Sequence, residues 1–344
     1  MTLMKKISFL STIIGTALTT AASAYTLSVD PGAISISFDQ FNDGVSTATN
    51  FGNMADGGEA GGVSAVTMPA GAADPQFQYL TPGGPFDPNQ YPFMRIQSQG
   101  SAAGASQVFP LPANGATVLP YTTGNTFSES QLQFAQPLNG TGLRIDPLGG
   151  GTGGTETFSY DYLMLDRFQT IGLGEFDRDG GLDGWTPAAN GHLINTSVSS
   201  STSTFTATTA GNDPVIQKAG LNVDTATYKF MEISLALDPA SNSRFEFFWG
   251  TNTFPGPAGG QSIAITNELI RDGNLHTYRF DMSDEANWDG NLNILRLDLL
   301  ADADAQAGRN VEIGHVRLYA QVPEPSGAAL LMLGFSSLLL TRRR

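Results

Sequence analysis

The chain has 344 residues, 40% hydrophobic and only 14% charged, with 40 glycines and no cysteine. That length allows two domains large enough to bury cores without covalent staples, and the lack of cysteine excludes disulfides, Cys-bound zinc and thiol nucleophiles. The net charge is −15; five of the 17 basic and one of the 32 acidic residues lie in the end segments, so the body Tyr25–Val322 carries 12 and 31, a net of −19 that disfavours nucleic acid and anionic lipid as partners.

The chain begins MTLMKKISFLSTIIGTALTTAASAY. Lys5 and Lys6 precede an apolar core from Ile7 to Leu18, and Ala22-Ser23-Ala24 fits a small-x-small cleavage site. These features in this order predict a signal peptide over residues 1–24, removed before Tyr25 on export across the inner membrane.

The body then reads as one domain written twice, residues 25–168 and 169–321. ISFDQFNDGV (Ile36–Val45) opens the first copy and FDRDGGLDGW (Phe176–Trp185) the second, with Asp39 answering Asp177. Asp74-Pro75 and Asp213-Pro214 each lead into Tyr-x-Phe-Met-x-Ile, at Tyr91–Ile96 and Tyr228–Ile233. Leu143-Arg144-Ile145-Asp146 matches Leu295-Arg296-Leu297-Asp298, and Phe158–Leu165 matches Val311–Leu318. The glycine runs 57–62 and 149–154 follow no strand-to-helix pattern and read as flexible loops, not phosphate cradles.

Alternation of period two predicts the strands of the second copy. Phe245, Phe247 and Trp249 share one face, and Leu295, Leu297 and Leu299 form a buried row with Arg296 and Asp298 facing out. In VEIGHVRLY, strict alternation groups Val311, Ile313, His315, Arg317 and Tyr319 on one side. No long helical periodicity occurs between the end segments. The fold class is therefore all-β, two tandem antiparallel β-sandwich (jelly-roll) domains, with a short hydrophobic helix expected at the C-terminus.

That C-terminus is VPEPSGAALLMLGFSSLLLTRRR, residues 322–344. Its apolar stretch, Gly327–Leu340, is short for a membrane span of about 20 residues. Pro323-Glu324-Pro325, the stretch and the Arg342-Arg343-Arg344 tail together resemble the PEP-CTERM sorting signal of Gram-negative bacteria. The resemblance implies an exosortase as transient partner, contact with the membrane only through this segment before processing, and delivery to the cell surface or extracellular matrix.

The order of motifs from FDRDGGLDGW through FFWGT, HTYRFDM and VEIGHVRLY resembles the galactose-binding-like jelly-roll domains often called carbohydrate-binding modules. The first copy lacks FFWGT and HTYRFDM and has no tryptophan. The resemblance implies sugar contacts through aromatic faces, with Trp249 and Trp288 as candidate platforms and Arg244 and His276 as polar neighbours; Trp185 is expected to pack. It also implies a structural calcium held by a first-strand and a last-strand carboxylate. Asp39 and Asp161 are candidates in the first copy; in the second, Asp177 meets Gly314 where Asp161 stands. Without the resemblance these carboxylates read as turn-formers. As an EF-hand loop FDRDGGLDGW fails, with Gly181 at the third ligand position and Ala188 at the twelfth.

Three histidines, His192, His276 and His315, match no catalytic motif, so no catalytic residue is assigned and no enzyme expected. The reading is an exported structural or adhesion protein of a polysaccharide-rich surface or biofilm, with extracellular polysaccharide as partner. The alternative is a lectin-like module with a defined glycan, favoured if aromatic rings are exposed on one face.

Overall fold

The computed structural model describes residues 25–37, 47–52, 54–72, 75–80, 90–101, 104–111, 119–124, 126–134, 142–147, 154–256, 260–301 and 307–320. The leader, Asp39, and the tail with Pro323, Glu324, Pro325 and Arg342–Arg344 lie outside them.

The described strands, in chain order, are β1 (Thr26–Val29), β2 (Ser35–Ser37), β3 (Thr47–Gly52), β4 (Ala55–Ala60), β5 (Val63–Met68), β6 (Gln76–Leu80), β7 (Phe93–Gly100), β8 (Gly104–Leu111), β9 (Leu119–Thr123), β10 (Ser128–Gln133), β11 (Gly142–Asp146) and β12 (Glu156–Asp166). There follow β13 (Thr170–Gly174), β14 (Thr186–Pro187), β15 (Leu193–Ser199), β16 (Thr204–Thr209), β17 (Val215–Asp224), β18 (Phe230–Leu237), β19 (Arg244–Thr251), β20 (Ser262–Ile265), β21 (His276–Asp281), β22 (Asn291–Ala301) and β23 (Asn310–Tyr319). Every pairing among them is antiparallel.

The first sandwich stacks a sheet ordered β10-β7-β12-β5-β4, with β2 on β12, against one ordered β3-β6-β11-β8-β9. In the second, β21-β18-β23-β16-β15, with β13 on β23, faces β14-β17-β22-β19-β20. Strand for strand the orders coincide. The repeated motifs occupy equal places: Phe-Met-x-Ile on β7 and β18, Leu-Arg-x-Asp on β11 and β22. Among the described strands, β1 alone has no counterpart. It lies within the stretch assigned to the first copy, yet it extends the second sandwich's sheet beyond β21.

Each sandwich has its own core. Val66, Phe77, Met94, Ile96, Phe158 and Leu163 fill the first. Phe245, Phe247, Trp249 and the row Leu295, Leu297, Leu299 fill the second, as their alternation predicts. Across the second sandwich Phe247 meets Phe280 edge-on at 4.9 Å. Burial of each such side chain contributes about 1.5–3 kcal/mol.

Two expectations about the strands need correction. Strict alternation fails in β23 because the register shifts there: Ser234 pairs with His315 but Leu235 with Ile313, leaving Gly314 bulged. Val311 and Ile313, then Val316 and Leu318, face the core, while His315 and Arg317 turn to the outer face. The equivalent residue of β12 is Asp161, bulged between Tyr160 and Tyr162. Asp298 is also not outward in the sense of exposed. It is buried under the Arg296 guanidinium, with Nε at 2.6 Å and Nη2 at 2.8 Å from its two oxygens.

The glycine run 57–62 is not a free loop. It spans the end of β4 and a two-residue hairpin turn, with Gly61 and Gly62 both at positive φ (60° and 80°), the backbone a type I′ turn requires. The turn docks on the second sandwich, where Asp179 donates its N–H to the Gly61 carbonyl at 2.9 Å. A β-carbon on Gly62 would collide with the Asp177 carbonyl oxygen. Gly62→Ala is expected to cost about 1–3 kcal/mol, from the clash and the left-handed backbone together. Urea denaturation reads this; a loss below about 0.5 kcal/mol would show that the hairpin does not press on this loop.

Candidate functional site

The polar chemistry gathers where the two sandwiches meet, on the outer faces of β7, β12, β18 and β23. Arg95 of β7 is buried to 1% exposure. Its Nε donates to Asp166 Oδ2 at 2.7 Å, and its Nη1 donates across the junction to Glu175 Oε1 at 2.6 Å. Nη1 also lies 3.4 Å from Glu129, which accepts the Tyr162 hydroxyl at 2.6 Å. Glu175, just after β13, receives Arg317 as well, with Nη2 at 2.6 Å and Nε at 2.9 Å. Beyond it Glu232 accepts Arg279 Nη2 at 2.6 Å and approaches His315 Nε2 at 3.0 Å. Acids and bases alternate along this chain, so each buried guanidinium or carboxylate has a partner of the opposite sign. A β-carbon at Gly172 would stand 2.6 Å from Arg95 Nη1, so a larger residue there would push the guanidinium from its place.

The titration behaviour follows from that arrangement. Burial works to raise Glu175, but Arg317 and Arg95 outweigh it and hold the carboxyl at about 2. Glu232 is likewise held at about 2: burial opposes ionisation, and His315, Arg317 and Arg279 overcome it. Burial, then the Arg317 charge, pushes His315 below its ordinary value despite the Glu232 contact. Such groups are fixed in one ionisation state at neutral pH. They suit joining two bodies, not moving protons.

Beside this network opens a cleft of about 450 Å³, within the range of small-ligand sites. One wall, Gln97, Phe127 and Tyr162, belongs to the first sandwich. The other is the FDRDGGLDGW segment, through Arg178, Gly180–Gly184 and Leu182, with Glu175 and Lys218. The segment is fixed from below. Asp183, at φ +46°, accepts the N–H groups of Glu175 and Phe176 at 2.8 and 3.1 Å. Trp185 is buried as expected, its Nε1 donating to the Leu173 carbonyl at 2.7 Å. The same carbonyl accepts Lys218 Nζ at 2.6 Å; burial lowers this lysine's pKa. The Arg178 guanidinium lies 4.6 Å from the Phe127 ring centre, so a cation–π contact ties the two walls.

Asp161 and Asp177 do meet, but across the junction and not within one repeat. The bulge turns Asp161 toward the second sandwich and the Asp177 carboxyl, and Arg178 Nη1 donates to Asp161 Oδ2 at 2.8 Å. This does not fit calcium, which needs six to eight oxygens and no cation among them. No group of three or more metal-binding side chains occurs among the described residues. The calcium expected at Asp39, Asp161 and Asp177 is thus not supported by the last two; Asp39 lies outside the described residues. Instead Asp161 is pushed up to about 7, by burial first and by Asp183 and Glu175, with Arg178 opposing.

The expected sugar platforms must also be corrected. Trp249 is fully buried between the sheets, its Nε1 donating to the Asn287 carbonyl at 2.9 Å. Trp288 is 6% exposed, meets Trp249 edge-on at 5.7 Å and donates Nε1 to the Tyr228 carbonyl. Both indoles face the core and find carbonyl partners there, so neither offers a ring to solvent. Arg244 pairs with Glu246 at 3.0 Å, and His276 lies between Asp30 (2.8 Å) and Asp272 (3.0 Å).

The residues that make the junction went unnoticed, although a signal for them exists. Aligned, the repeated strands read Phe-Met-Arg-Ile and Phe-Met-Glu-Ile: equal places carry opposite charges, Arg95 and Glu232. Duplicated surfaces with complementary charge are suited to face one another.

No family model and no curated protein matches the chain. Solved structures of family 29 carbohydrate-binding modules are similar to part of it. A point variant of the module CBM29-2 gives a TM-score of 0.30 at 10% identity, covering 38% of this chain and 91% of the module. Another, complexed with mannohexaose, gives 0.27 at 11%, covering 42% and 93%. A further structure of the family gives 0.28 at 11%, covering 40% and 87%.

Proposed function

We propose that this protein is an exported, polysaccharide-associated protein of the cell surface or matrix, acting by binding and not by turnover, with the cleft between its sandwiches as the glycan site. The observation that carries this reading is the cleft itself. A neutral polyol needs donors and acceptors at fixed positions beside an aromatic edge. Gln97, Arg178 and Asp183 beside Phe127 supply that set on two walls locked together by buried ion pairs. Glu175, which lines the cleft, is clamped by two arginines at about 2 and so cannot itself serve as a general acid. The sequences of the leader and of the sorting-type tail support a destination outside the inner membrane, with release of the tail by an exosortase as the processing step of this reading. The acidic body then suits neutral glycans more than anionic ones.

Titration calorimetry against neutral oligosaccharides, chosen from a glycan array, tests this. Phe127→Ala and Gln97→Ala are each expected to weaken binding about three- to tenfold, the scale of one lost aromatic or hydrogen-bonding contact. No glycan bound by the unaltered chain, or affinities unmoved by both substitutions, would remove the cleft from consideration.

A further inference from the structure

β1 departs from the duplicated plan. It is the outermost strand of the second sandwich, pairing Thr26 with Asp281, Leu27 with Phe280, Ser28 with Arg279 and Val29 with Tyr278. Tyr25 and Leu27 pack on the second core. Asp30 fastens the strand's end: its N–H donates to the Thr277 carbonyl at 2.8 Å, its Oδ1 accepts the Thr277 N–H at 2.9 Å, and its Oδ2 meets His276 Nδ1 at 2.8 Å. The chain then leaves at once for the other sandwich. The Ile34 carbonyl accepts the Arg167 N–H, and β2 pairs with β12. So a strand that completes one body is tethered to the other by Pro31, Gly32, Ala33 and Ile34, of which Gly32 and Ala33 are exposed.

An edge strand so placed has a particular property. If it lifts, the backbone of β21 becomes an open edge, a template for another strand. A strand from a second copy can make every contact that β1 makes, because the sequence is the same; only the link changes course. Extended, the four linker residues reach about 14 Å. We propose that β1 is an exchangeable strand: the β21 edge of one molecule accepts the Thr26–Val29 segment of a second copy, joining the first sandwich of one to the second sandwich of the next. Reciprocal exchange closes a dimer; one-way exchange is heterologous and, where its rotation does not close a ring, builds open chains, a suitable form for a matrix protein.

The chain's lack of cysteine permits a clean test. Chains starting at Tyr25 are made with Thr26→Cys, with Asp281→Cys, or with both. The double variant should close a disulfide within one molecule. The two single variants, mixed at high concentration and then oxidised, should give a disulfide-linked heterodimer several-fold above that of Thr26→Cys mixed with a control cysteine at exposed Ser201. A yield no higher than the control would overturn the exchange. Failure of the double variant to close would overturn the β1–β21 pairing and the proposal with it. Glycan binding at the cleft is read separately, so loss of one conclusion leaves the other standing.

Discussion

Arg95→Met should lower the stability of the chain by about 3 kcal/mol, because it leaves buried carboxylates short of a partner. Asp166 would keep only its contact with the Ser35 hydroxyl, and Glu175 only Arg317. The loss is expected at the lower end of the range for broken buried pairs because both acids retain one partner. Arg95→Lys preserves the charge but not the fork that reaches Asp166 and Glu175 together, and should cost about 1–2 kcal/mol. The effect should be insensitive to salt, since the network is closed to solvent. A second readout separates this role from a purely local one. Arg95 joins the sandwiches, so calorimetry of the methionine variant should resolve two unfolding transitions where the parent shows one. A loss below about 0.5 kcal/mol with a single transition would mean that other contacts hold the junction.

The reach of the sequence can be judged at such positions. Rows such as Leu295, Leu297 and Leu299 were legible because burial on one face of a strand imposes a period of two. The duplication was legible because the matched motifs fall on central strands, where packing tolerates little change. The bulge at Gly314 was not legible: one extra residue reverses the facing of everything after it without altering composition, so strict alternation puts His315 and Arg317 on the side of Val311 and Ile313. Nor did the sequence indicate the partner of β1, more than 240 residues away in the chain. Trp249 illustrates a third limit. Its strand face was assigned correctly, but alternation says only which residues share a face, not whether that face meets water or a second sheet. FDRDGGLDGW reads from the sequence as the opening of the second copy, and nothing in it announces that its glycines and Arg178 form one wall of the cleft. That role depends on the other sandwich and leaves no local mark.

The same junction should make stability depend on pH in a direction opposite to that of most carboxylates. Asp161 is pushed up to about 7 in the folded chain, against about 3.9 for an aspartate in an unfolded one. Between those values the folded state holds a proton that the unfolded state has released. Stability from this group is therefore full below about pH 4 and is lost as pH rises through 7, by about 4 kcal/mol at most. Glu175 and Glu232 act the other way. Their folded values near 2 lie below the unfolded one, so their contribution is present above about pH 4.3 and is lost only as pH falls toward 2. Together these three groups favour the acid side of neutrality. Asp161→Asn keeps the shape of the side chain and removes its titration, and Arg178, one-quarter exposed, can turn to water. Urea midpoints from pH 4.5 to 8 should fall for the parent and stay nearly level for the asparagine variant. Parallel slopes would show that Asp161 remains ionised throughout, with Arg178 and not a proton balancing its charge against Asp177.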